Sequence, residues 1–176
     1  MQRLICVLLT LFVFLSCDQL PTCDSCEFNC LNGNEPEVLT NNACRDNAEC
    51  EYSITENGSL DINERELNVN VIDGDNQVFE MVVFNEGSPN VADTGFRASI
   101  FFELGAEMNS FSADDDQLQV LNLYIDRSCF CVGAGAQPIT SGCMQGERQE
   151  DGSWFVQGNL LDPITGEIKF DAFFEK

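Results

Sequence analysis

The chain has 176 residues, 30 of them acidic against 8 basic, for a formal net charge of −22. A field of that sign repels nucleic acid and anionic headgroups, so no nucleic-acid partner is expected; it suits solubility, cations or basic proteins. Histidine is absent, which excludes a Ser-His-Asp triad, a Cys-His pair, imidazole-ligated metal and a histidine general base, and leaves carboxylate, Tyr, Lys and Cys chemistry.

Residues Met1–Ser16 read as an export signal. Arg3 supplies the positive start, and Leu4–Leu15 form an apolar core of twelve residues interrupted only by Cys6 and Thr10. That is the length of a signal-peptide core and too short to cross a bilayer as a helix. An ordinary secretory cleavage site wants small residues at −1 and −3, and no such pair lies near the end of this core. The stretch Phe14-Leu15-Ser16-Cys17 instead resembles the relaxed lipobox of small Bacteroidota-type exported lipoproteins, with Phe14 where Leu is usual. The resemblance implies that Cys17 is acylated, becomes the mature N-terminus and holds the protein to the lipid bilayer. It places the protein in the cell envelope, with the outer membrane or cell surface favoured over the inner membrane.

Removal of residues 1–16 would leave 160 residues, enough for one domain, and the loss of Arg3 would bring the charge to −23. Of the ten Cys, Cys6 leaves with the signal and Cys17 would carry lipid. Eight remain: Cys23, Cys26, Cys30, Cys44, Cys50, Cys129, Cys131 and Cys143. An even number in an oxidising compartment is expected to close into disulfides. Five of these Cys fall in residues 17–50, which carry Pro21, Pro36 and Asn32-Gly33-Asn34 and little apolar periodicity. That stretch reads as a Cys-rich neck. Pairing all eight requires an odd number of bridges between the neck and Cys129, Cys131 and Cys143, so at least one ties neck to domain. Cys129 and Cys131 stand too close for an unstrained bond with each other. Cys23-x2-Cys26-x3-Cys30 could also hold a metal or a redox pair, but no βαβ setting accompanies it. No cofactor or metal is expected.

Residues 51–176 carry strand patterning. Asp73-Gly74 separates Leu67–Ile72 from the nearly continuous apolar run Val78–Phe84, and reads as a hairpin turn beside a strand covered on both faces. Asn57-Gly58-Ser59 reads as a turn. In Phe96–Leu104 the even positions are all apolar, and a helical turn is expected at Ser112–Asp116 with Ser112 as its cap. Trp154, Val156, Gly158 and Leu160 share one face, and Ile168, Phe170, Ala172 and Phe174 another. Asp151-Gly152 and Asp162–Gly166 read as the turns that precede these two runs. About seven to nine short strands with little helix predict an all-β, two-sheet antiparallel β-sandwich with a disulfide-rich N-terminal neck.

No catalytic residue can be named from this pattern. Asp114-Asp115-Asp116 and Asp73-Gly74-Asp75-Asn76 could offer oxygen to Ca²⁺, but neither is a full calcium loop, and turn chemistry explains both. Trp154, Tyr52 and Tyr124 are the residues suited to stacking on sugar, though each lies in a strand pattern and Trp154 on an apolar face. Two functions stay open. One is a non-catalytic envelope lipoprotein that binds an unknown protein or glycan ligand. The other is a carboxylate-dependent enzyme acting on glycan.

Overall fold

The computed structural model describes residues 44, 48–63, 65–85, 95–129 and 133–176. Nine strands run through them: β1 (Glu49–Asn63), β2 (Asn68–Asn85), β3 (Phe96–Gly105), β4 (Ser110–Asp114), β5 (Tyr124–Ser128), β6 (Gly135–Pro138), β7 (Gly142–Arg148), β8 (Trp154–Asp162) and β9 (Gly166–Phe174). A 3-10 helix, Asp115–Leu121, joins β4 to β5. The strands form two antiparallel sheets, a five-stranded one in the order β1-β2-β3-β5-β6 and a four-stranded one in the order β4-β7-β8-β9. This is the expected all-β sandwich.

The period-two alternation supplies the core. Phe79, Met81, Ile100, Phe102, Leu104 and Ile125 from the larger sheet meet Met144, Trp154, Val156, Leu160, Phe170 and Phe174 from the smaller one, all buried. Phe79 is the hub. Its ring stacks on Phe102 at 4.5 Å and meets Trp154 and Phe174 edge-on at 5.5 and 5.6 Å. Offset and edge-on rings add attraction beyond the area they bury. Gly158 makes room for this packing, because a Cβ there would lie 2.5 Å from the Phe170 ring.

Asp73-Gly74 does not turn the chain. β2 runs straight through it for 18 residues, and the reversal comes earlier, where the Asn63 side chain accepts the N–H groups of Arg65 and Glu66. Asp73-Gly74 is instead the irregularity opposite Gly58, at which Gly58 pairs with both Asp73 and Asn76. A Cβ on Gly74 would meet the Gly58 carbonyl at 2.7 Å, so the two strands pass closely only because that Cβ is missing. Asn57-Gly58-Ser59 is likewise part of this bulge in β1, not a turn. Beyond the bulge the β1–β2 tip covers the outer face of its own sheet. Leu60, Ile62 and Val69 form a second cluster there with Val78, Phe101 and Tyr124. Carboxylates fasten it: Glu103 accepts the Leu60 N–H at 3.1 Å, and Asp126 accepts the Val69 N–H at 3.0 Å. Val78 is therefore buried on the face opposite Phe79, which explains part of the unbroken apolar run.

The expected helical turn starts later and runs longer. Ser112 lies in β4, and Asp114 is the N-cap residue, with its N–H reaching the Gln117 side chain at 3.4 Å. Leu118 and Leu121 both bury, and their spacing of three matches the three residues per turn of a 3-10 helix. The turns at Asp151-Gly152 and Asp162–Gly166 stand where expected, between β7, β8 and β9. At the first, Asp151 accepts the Ser153 N–H and hydroxyl.

A charged pair clamps the two sheets at one end. Arg127 of β5 meets Asp162 of β8 at 2.5 Å, both almost fully buried on the inward faces of their strands. Asp162 also accepts the Thr165 N–H at 2.7 Å and its hydroxyl. Burial pushes the Asp162 carboxyl up, but the Thr165 hydrogen bonds and the Arg127 guanidinium outweigh it and hold the carboxyl below its ordinary value.

Cys44 and Cys50 are bonded to each other across Cα atoms 5.9 Å apart, and Cys50 already belongs to β1. Cys129 and Cys143 each take part in a disulfide as well. Cys17, Cys23, Cys26, Cys30 and Cys131, with most of the neck, lie outside the described residues.

Candidate functional site

The outward face of the four-stranded sheet is the candidate site. Strand register fixes which side chains share it, because residues in one cross-strand row point the same way. One row runs Ser112, Gln145, Gln157, Asp171 across β4, β7, β8 and β9. The row beside it runs Ser110, Glu147, Phe155, Phe173. On the other flank lie Asp114, Cys143, Asn159 and Lys169. The first row is polar throughout, and the second ends in two aromatic rings.

These rows line a shallow groove of about 650 Å³, bordered by Ser110, Gln145, Glu147, Phe155, Gln157 and Asp171. That volume is in the range of small-molecule sites. Gln145 donates through Nε2 to Oε1 of Gln157 at 2.9 Å, which orients both amides. Gln157 is 7% exposed, and its own NH₂ group makes no hydrogen bond among the described residues. That NH₂ group is left to solvent or to a ligand on the groove side. Phe173 is 57% exposed, and its ring centroid lies 5.0 Å from that of Phe155 at a tilt of 42°. In the flanking row Lys169 pairs with Glu167 at 2.9 Å. The hydrogen bond from Lys169 holds the Glu167 carboxyl below its ordinary value.

The sugar-stacking candidates lie elsewhere. Trp154 is fully buried in the aromatic core, Tyr52 packs against Phe174 at 5.4 Å, and Tyr124 belongs to the cluster under the β1–β2 tip. The aromatic residues that do share the outward face are Phe155 and Phe173. Their signal is a phase error: each is apolar at a position whose strand neighbours two away are polar, Gln157 for one and Asp171 for the other. Among the calcium candidates, Asp73–Asn76 lies in the β2 bulge, and Asp115 accepts the Gly142 N–H at 3.0 Å. Among the described residues no three or more His, Cys, Asp or Glu side chains are grouped to hold a metal ion. Nor, among them, is any helix long and apolar enough to cross a membrane. No family model matches the chain, and neither does any curated protein or solved structure.

Proposed function

We propose that this protein is a lipid-anchored envelope module that binds its ligand, without catalysis, on the outward face of the four-stranded sheet. The observation that carries the reading is the polar row Ser112–Gln145–Gln157–Asp171 laid beside the exposed Phe155–Phe173 pair. Polar groups that fix orientation beside an apolar platform are the usual make-up of a recognition site. Anchoring rests on the lipobox-like Phe14-Leu15-Ser16-Cys17.

Each half has its own test. Cys17→Ala is expected to abolish acylation and move the protein out of the detergent-extracted membrane fraction, as read by fractionation and lipid labelling. A wild-type protein that is unacylated and fully soluble would refute the anchor. For the face, Phe173→Asp is expected to reduce retention on immobilised envelope fractions at least 10-fold, with circular dichroism and Tm unchanged because the side chain is exposed. Equal retention of variant and wild type would rule out this surface, and turnover of the retained material would rule out the non-catalytic reading.

A further inference from the structure

We propose that the ligand of this face is a neutral glycan chain, lying along the polar row with its sugar rings against Phe155 and Phe173; the inference rests on the binding face proposed above. Three observations favour it, the last of them against an acidic polymer.

The first is the mixture of donors and acceptors. Gln145 and Gln157 carry both, Ser110 and Ser112 carry both, and Asp171 and Glu147 accept. Sugar hydroxyls each donate and accept, so they can satisfy all of these at once. The second is the aromatic step. The C–H bonds of a pyranose carry partial positive charge on one face, and the negative face of a phenyl ring attracts them while apolar area is buried. Two rings tilted by 42° offer such faces at the edge of the polar row. The third is charge. A net −22 repels uronic acids and sulfated sugars but is indifferent to neutral ones. The row also has the right reach, since four adjacent strands span about 15 Å, the span of a short oligosaccharide.

The test titrates the full-length protein in detergent with hexasaccharides from cellulose, xylan, mannan, starch, galactan and β-1,3-glucan. Hexagalacturonate and hexalysine serve as the acidic and cationic probes. At least one neutral hexasaccharide is expected to bind, with hexagalacturonate at least 10-fold weaker. Phe173→Ala, at unchanged Tm, and Gln157→Leu should each weaken that binding at least 10-fold, whereas Phe84→Ala, half-exposed on the other sheet, should leave it alone. If no neutral hexasaccharide binds while hexalysine does so in a Phe173-dependent way, the glycan is wrong and the face survives. If a neutral glycan binds but neither face variant weakens it, the face itself is wrong. Absence of binding by all six neutral probes overturns the proposal outright.

Discussion

Phe79→Ala is expected to destabilise the sandwich by about 3–5 kcal/mol and lower Tm by roughly 10–20 °C. Phe79 is fully buried and touches rings from both sheets: Phe102 beside it, Trp154 and Phe174 across the interface. Its removal would leave a cavity bordered by rigid rings held by two sheets, which cannot collapse onto one another without shifting strands. Phe79→Leu retains most of the apolar volume and is expected to cost less than half as much. Thermal unfolding followed by circular dichroism reads both. A loss under about 1 kcal/mol for the alanine variant would mean that the aromatic cluster does not hold the sheets together.

Arg127→Met is expected to cost a similar amount, about 3–5 kcal/mol, because it leaves the Asp162 carboxylate buried without its cation. The double variant Arg127→Met/Asp162→Asn should recover at least half of the loss. It removes the stranded charge and keeps an acceptor for Thr165. The pH dependence has a definite sign. The Asp162 carboxyl is held below its ordinary value in the folded protein, so its stabilising contribution is complete above the unfolded value, near pH 4. It is lost as pH falls through the lowered folded value. Wild type should therefore lose its stability advantage over the double variant in acid, and urea titrations below about pH 4 measure it. A constant difference across that range would show that the pair is not linked to protonation.

The strands themselves were largely legible in the sequence. Phe170, Ala172 and Phe174 bury against Trp154 and Leu160 as a period of two requires, and the last two turns stand where Asp-Gly and Asp-Pro chemistry put them. Asp73-Gly74 misled because the same missing Cβ serves a hairpin turn and a bulge. The choice was made by Gly58, fifteen residues upstream, through a crossing no local window contains. The binding face was hidden for a related reason. Gln145, Gln157 and Asp171 become one row only after register is set across three strands. The Arg127–Asp162 clamp left a fainter trace, a charged residue in phase with the inward Ile125 and another in phase with Leu160. Nothing in the sequence said that the two phases met.

The same topology bears on how the protein is made. β9 returns to β1, where Ser53 and Glu175 pair and the Ile54 N–H bonds the Glu175 carbonyl at 2.8 Å. Positions at opposite ends of the domain must therefore find each other before the sandwich closes, and such distant pairings make folding slow. Until the last strand arrives, Ile54 and Tyr52 lack the cover that Phe174 and its neighbours provide. The Cys44–Cys50 bond has no such delay, because it closes a loop of only six residues. In a chain that emerges from its N-terminus, the staple at the head of β1 can form before β9 exists, and β1, paired with β2 on one edge, waits for its closing neighbour on the other.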